Sequence, residues 1–250
     1  MCHSDESRVP QPPGSGAVRE AGEITLTSGD GSTVGAYYAH PDAQPEALTG
    51  AAVIILPDVR GLHPFYKDLA RRMAEAGLEA VAIDYFARTV DHLDRGEGFA
   101  YMPHVDQLLP EHVEADVAAA VDWLRSLPGS PVQSVFTVGF CLGGSMSWRQ
   151  SASDHGLSGC IGFYGLPDMA ADRIDQMQVP LLMLAGESDE YVPVDAVKAF
   201  AAEATAAGVE VQTKTYPGAP HSFFDWVAAE HAEACDDAWH QVLDFVAAHK

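Results

Sequence analysis

The amino-acid sequence predicts an α/β protein built on a mainly parallel central sheet, and three observations carry that prediction. Short apolar runs at 51–57, 79–84, 134–139, 158–163, 180–185 and 210–216 recur with longer amphipathic segments between them. Those segments keep helical spacing. Phe65, Leu69, Met73 and Ala76 share one face, as do Val113, Val117, Val121 and Leu124, and then Cys235, Trp239, Val242, Leu243 and Val246. Glycine and proline fall between these elements, and the chain has no internal repeat.

The first 20 residues, 1–20, are rich in Pro, Ser and Gly and read as a flexible or surface-bound lead-in. Residues 23–28 and 33–39, separated by Gly29-Asp30-Gly31, read as an antiparallel hairpin. Residues 21–250 then form a single domain with helices on both faces of the sheet. A chain of 250 residues with 47% hydrophobic and 20% charged residues supports one well-filled core and argues against global disorder. With 14 basic against 36 acidic residues its formal charge is −22, which opposes binding to nucleic acid or to anionic lipid. The opening MCHSDESRVPQPPGSG lacks the basic and apolar regions of a secretory signal, and no run approaches the ~18 apolar residues of a membrane span. A cytoplasmic protein, monomeric or weakly self-associating, is the expectation. Cys2, Cys141, Cys160 and Cys235 are too scattered for a disulfide framework or a zinc site, and Cys160 and Cys235 read as core.

Reactive residues in such sheets sit just beyond the carboxyl ends of strands. The stretch VFTVGFCLGGSMS, residues 135–147, runs four β-favouring residues into Gly139, Cys141 and the pair Gly143-Gly144. It reads as a strand, a sharp turn and a helix, the arrangement of the nucleophile elbow of α/β-hydrolases with Cys141 at its centre. A thiol suits the position because the helix beginning at Leu142 presents a positive dipole end that lowers its pKa. The competing reading is a small buried residue in a glycine-rich turn. The order nucleophile, acid, histidine then leads to His221, which closes PGAPH, because His231, His240 and His249 fall in the predicted last helix. The stretch LLMLAGESDEYVP offers Glu187, Asp189 and Glu190; Asp189 is assigned to orient His221, with Glu187 second. The backbone N–H groups of Leu142 and of Val59, in PDVRGLHPF, are candidates for an oxyanion hole, and side chains 58–60 line its mouth.

LPDVRGLHPF, GFCLGG, AGESDEYVP and PGAPHSF, in this order, resemble the dienelactone hydrolase family of α/β-hydrolases, the carboxymethylenebutenolidases, from about residue 23 onward. The resemblance implies the α/β-hydrolase fold and a Cys141, His221 and Asp189 triad acting through an acyl-cysteine intermediate. It also implies a small ester or lactone as substrate, with neither metal nor organic cofactor. Family members carry a glutamate that can meet the resting thiol, and Asp58 stands there, one methylene shorter. Two arginines hold the substrate carboxylate in such enzymes. Arg88 of DYFAR matches the first, but Asp225 of HSFFD occupies the second. Phe86, Tyr164 and Phe223 are candidate apolar walls. A helix starting near Ser222 would turn Asp225 toward the pocket, where it would repel anionic substrates, raise the pKa of His221 and favour neutral esters. A broader carboxylesterase, a cysteine peptidase and a non-catalytic ligand-binding homologue are the alternatives; the complete triad argues against the last.

Overall fold

The computed structural model describes residues 3–14, 16–129 and 132–250; Cys2 lies outside them. Among the described residues eight strands form one sheet: β1 (Val18–Thr27), β2 (Thr33–Pro41), β3 (Ala51–Leu56), β4 (Glu79–Ile83), β5 (Ser134–Phe140), β6 (Gly159–Phe163), β7 (Leu181–Gly186) and β8 (Val211–Tyr216). Their order is β1-β2-β4-β3-β5-β6-β7-β8, antiparallel at β1–β2 and β2–β4 and parallel elsewhere. The apolar runs of the sequence are the strands β3 to β8, each within a residue or two of its expected limits.

The helices are α1 (Pro64–Glu75), a single turn α2 (Met102–Val105), α3 (Pro110–Arg125), α4 (Leu142–Gln150), α5 (Val194–Ala206) and α6 (Ala232–His249). Alternation along β3 shows how they are arranged. Ala51, Val53 and Ile55 pack with α1 and α6, whereas Ala52, Ile54 and Leu56 pack with α3, α4 and α5. A strand covered on both sides has no use for a polar face, which is why β3, β4, β5, β6 and β7 are buried along their whole length.

β5 passes into α4 through Cys141 alone, whose backbone is left-handed at φ 55° and ψ −117°. The turn is tight enough that its neighbours cannot carry side chains. A Cβ on Gly139 would stand 1.8 Å from Gly143 O, and one on Gly143 would stand 2.1 Å from Leu56 O and 2.3 Å from Pro57 O. One on Gly144 would meet Phe163 O at 2.6 Å. The Cys141 N–H donates to Phe163 O at 3.0 Å, which ties the elbow to β6.

Two expectations are corrected. Residues 3–14 are not a loose lead-in: His3 is fully buried and Val9 is 3% exposed. Proline-rich and extended, this segment gives its backbone groups to the domain. The Trp239 indole donates to Pro10 O at 3.1 Å, Trp226 N–H donates to Arg8 O at 2.8 Å, and Arg8 N–H donates to Asp225 Oδ1 at 2.9 Å. Nor does a helix start near Ser222. Ser222 is left-handed at φ 62°, residues 222–228 are irregular, and α6 begins only at Ala232 after a single 3-10 turn.

Gly143→Ala should therefore destabilise the fold by about 3 kcal/mol, because both clashing atoms are backbone of the central strand region. Gly98→Ala, where an added Cβ meets nothing within 4 Å, is the control. Thermal unfolding of the two variants makes the comparison, and equal midpoints would contradict the packing described.

Candidate active site

The residues sought after strands come together at the carboxyl end of the sheet. Asp189 follows β7 and His221 follows β8, and His221 donates its Nδ1–H to Asp189 Oδ2 at 2.7 Å. Asp189 Oδ1 is held by the N–H groups of Tyr191 and Val192, each at 2.8 Å, so the carboxylate cannot swing away. Glu187, the second choice, faces solvent and accepts from Thr215 Oγ1 at 2.7 Å. With Nδ1 committed to Asp189, the ring is left to engage Cys141 through Nε2. Burial works against charge on His221, but hydrogen bonds to Asp189 and Cys141, reinforced by their negative charges, raise its pKa to about 9. Cys141 is 8% exposed and heads α4. The other two described cysteines are different: burial pushes the Cys160 thiol up to about 12 and the Cys235 thiol up to about 11.

Backbone strain concentrates here. The non-glycine residues with left-handed backbone among those described are Cys141, Tyr164 and Ser222. Tyr164 follows β6 with its ring 4.9 Å from that of His221, and Ser222 follows His221 in the chain.

The loop after β3 supplies the other wall. The Tyr85 hydroxyl reaches both Pro57 O and Asp58 O, the latter at 2.6 Å. Because carbonyl and N–H of a trans peptide point to opposite sides, anchoring Asp58 O turns the Val59 N–H away from Tyr85. Among the described residues no acceptor takes the N–H of Val59 or of Leu142. Asp58 is fully buried and does not stand alone. Its Oδ1 accepts from Arg60 N–H at 2.9 Å, and its Oδ2 accepts from His3 N–H at 3.3 Å and from His63 Nε2–H at 3.4 Å. Burial alone would push its carboxyl up, but His63, His3 and the Arg60 amide outweigh it and hold the pKa below the usual range.

Of the aromatic candidates, Tyr164 lies beside His221 and Phe223 beside Tyr164. Phe223 is buried against Tyr164 at 5.7 Å and Tyr216 at 4.8 Å between ring centroids. Phe86 packs in the core of the opposite face against Tyr85, Phe99 and His104. Arg88 is corrected from substrate binder to cross-link. All three of its nitrogens donate, to Asp30, to both oxygens of Asp116 and to Ser28, at 2.7 to 3.0 Å. A substrate carboxylate would have to displace two protein carboxylates. Asp225 is corrected as well: its carboxylate accepts from Arg8 N–H and Val227 N–H, and Asp189 and Cys141, not Asp225, are the largest influences that raise the pKa of His221. Arg60 falls within side chains 58–60, expected at the mouth, but its partners were not foreseen; the residues that sequence reasoning missed are His3, Asp5 and His63. Arg60 and His63 stand in the quoted loop directly after a buried strand, a visible signal; nothing in the lead-in marks His3 or Asp5.

Residues 34–250 match the model of the dienelactone hydrolase family. The chain belongs to that family. A provisionally named carboxymethylenebutenolidase of Yersinia pestis is 27% identical over 239 residues, covering 91% of this chain and 88% of the relative. A crystal structure of a provisionally named dienelactone hydrolase from Klebsiella pneumoniae subsp. pneumoniae superposes with a TM-score of 0.80 at 27% identity, covering 92% of this chain and 99% of that one. A dienelactone hydrolase-like promiscuous phosphotriesterase from metagenomic libraries shares the fold with a TM-score of 0.76 at 24% identity, over 94% and 99% of the two chains. Among the described residues no group of three or more His, Cys, Asp or Glu is arranged to hold a metal ion, and no helix is long and apolar enough to cross a membrane.

If Asp189 orients His221, Asp189→Asn should lower kcat for ester hydrolysis by about a hundredfold or more, and Glu187→Gln should change it less than about threefold. Steady-state kinetics on one aryl ester decide the matter, and the reverse ranking would transfer the role to Glu187.

Proposed function

We propose that the protein hydrolyses a small carboxylic ester or lactone through an acyl-cysteine intermediate, with Cys141 as nucleophile, His221 as acid and base, and Asp189 as its orienting group. The observation that carries this reading is the 2.7 Å hydrogen bond from His221 Nδ1–H to Asp189 Oδ2 beside a Cys141 that heads α4; burial opposes charge on His221, but hydrogen bonds to Asp189 and Cys141 raise its pKa to about 9. In this reading the pair reacts as thiolate and imidazolium, sharing one proton between them.

Attack by the Cys141 sulfur on the ester carbonyl places negative charge on the carbonyl oxygen. The N–H groups of Leu142 and Val59, which no acceptor takes among the described residues, donate to that oxygen in this reading, and the first also lies at the positive end of α4. Collapse of the tetrahedral intermediate breaks the C–O bond, and His221 Nε2–H protonates the leaving oxygen. The neutral imidazole, kept in the Nδ1–H tautomer by Asp189, takes a proton from water as it attacks the thioester. Cys141 leaves as thiolate, and His221 is again protonated. The preference for neutral esters expected from Asp225 has lost its basis, since that carboxylate binds the leading segment.

Cys141→Ala should lower kcat/KM by at least about a thousandfold without altering the fold. In a Cys2→Ser background, mass spectrometry after a rapid quench should find acyl adduct on the Cys141 peptide and none on those of Cys160 or Cys235, whose raised pKa values keep them as thiols. Adduct at either of the latter would refute the mechanism. The pH dependence has a definite sign. For an alkyl ester, whose leaving oxygen must be protonated, kcat/KM should fall as the pH rises through about 9 and His221 loses its proton. A rate that keeps climbing well beyond that pH would mean that His221 does not serve as the acid.

A further inference from the structure

Arg60 has a fully buried guanidinium, yet its charge is matched by a residue of the leading segment. Nη1 donates to Asp5 Oδ1 at 2.6 Å, and Nη2 donates to His3 O at 3.0 Å and to His63 Nδ1 at 2.8 Å. Among the described residues Nε has no partner. The Asp5 side chain is 46% exposed. Its Oδ2 accepts from Glu97 N–H at 3.3 Å, while the Glu97 carboxylate accepts Asp5 N–H at 2.9 Å. A buried arginine cannot be left without a counter-charge, so whatever removes Asp5 must bring an anion of its own.

His3 joins this arginine to the candidate nucleophile's surroundings. Its ring stacks on Phe65 at 3.8 Å and 9°, and its Nε2 pairs with the Tyr164 hydroxyl at 3.0 Å, beside His221. Its carbonyl, at the other end of the same residue, lies on Arg60. One histidine residue therefore spans the distance from Tyr164 to Arg60, in space a small substrate could fill. Burial keeps the ring neutral, with its pKa lowered to about 4, so it adds no competing positive charge at neutral pH. A cleft of about 390 Å³ lined by Asp5, Arg8, His63, Phe65, Asp68 and Arg72 undercuts the segment along α1.

We propose that Arg60 is the carboxylate-binding residue of the substrate site, and that residues 3–9 occupy this site as a built-in substitute, with Asp5 in place of the substrate carboxylate and His3 in place of its planar body. A carboxylate-bearing substrate of the kind the family resemblance implies must then displace the segment, an inference that rests on the hydrolase reading for the reaction but not for the anion site.

Full-length protein is assayed with p-nitrophenyl butyrate and with mono-p-nitrophenyl glutarate, and the quantity read is the ratio of kcat/KM, anionic over neutral. Asp5→Ala should raise that ratio about fivefold or more, and Arg60→Gln should lower it about tenfold, the scale of one charge-assisted forked contact. Arg60→Lys, which keeps the charge and loses the fork, should fall between Arg60→Gln and the parent. An arginine that only supported the fold would depress both substrates together and leave the ratio alone. Ratios within about twofold of the parent in Asp5→Ala and Arg60→Gln overturn the proposal. If Arg60→Gln does not fold, the Asp5→Ala ratio decides by itself. Calorimetric titration with glutarate needs no turnover: Asp5→Ala should bind it at least about fivefold tighter than the parent, and adding Arg60→Lys should weaken that binding. Should neither ester be hydrolysed, glutarate binding of this pattern upholds the anion site while the hydrolase reading falls, and its absence overturns the site.

Discussion

The left-handed backbone of Cys141 is possible only because Gly139, Gly143 and Gly144 leave room for it. Each of the three lies so close to another backbone that an added methyl would overlap an oxygen atom. Removing the side chains lets α4 start directly over the end of β3, against Leu56 and Pro57, which are also the entry to the loop carrying Val59. One steric constraint thus sets both the start of α4 at Cys141 and its approach to the loop that carries Val59. The strain at φ 55° is held by the hydrogen bond from Cys141 N–H to Phe163 O and by the flanking parallel strands. Asp189 and His221 need no such device, because the register of β7 with β8 already places their loops side by side.

Charge is distributed with the opposite sense inside and outside. The chain carries a formal charge of −22, yet in the loop after β3 it buries a guanidinium whose counter-ion is half in water. A surface of that sign repels small anions at long range, and a single desolvated cation attracts them at short range. Ionic strength therefore acts on approach far more than on the bound state, since the buried contact is little screened.

The strands β3 to β8 were legible because a sheet covered on both faces imposes long apolar runs, and the elbow was legible because its glycines are a steric necessity visible in one dimension. Strand order led to His221 and to Glu187, Asp189 and Glu190 after β7, whereas the hydrogen bond that singles out Asp189 exists only in three dimensions. Pocket residues were harder to read. Arg88 sits in a stretch that resembles a binding motif, but Asp116 on α3 and Asp30 in the β1–β2 turn, distant in sequence, claim its donors. Asp225 was turned toward the pocket on the premise of a helix starting near Ser222, one turn beyond His221; the left-handed Ser222 redirects the chain, and the backbone of Arg8 supplies its partner. The leading segment was misjudged for a related reason. Its docking depends on His3 and Val9 and on exposed peptide groups, which leave no periodic signature, whereas its prolines and glycines suggest looseness.

The anchoring of that segment at Pro10, through the indole of Trp239, has a kinetic meaning. Because the chain cannot diffuse away, Asp5 acts as a tethered ligand, and for a tether this short its effective concentration is of millimolar order or higher. A free acid such as acetate, held by one salt bridge, competes poorly against a carboxylate that never leaves. A molecule that also stacks on Phe65 and reaches the thiol gains contacts the tether must surrender all at once. Selectivity would then come from an internal competitor that sets a minimum number of simultaneous contacts, with no need for a pocket shaped to exclude every other anion.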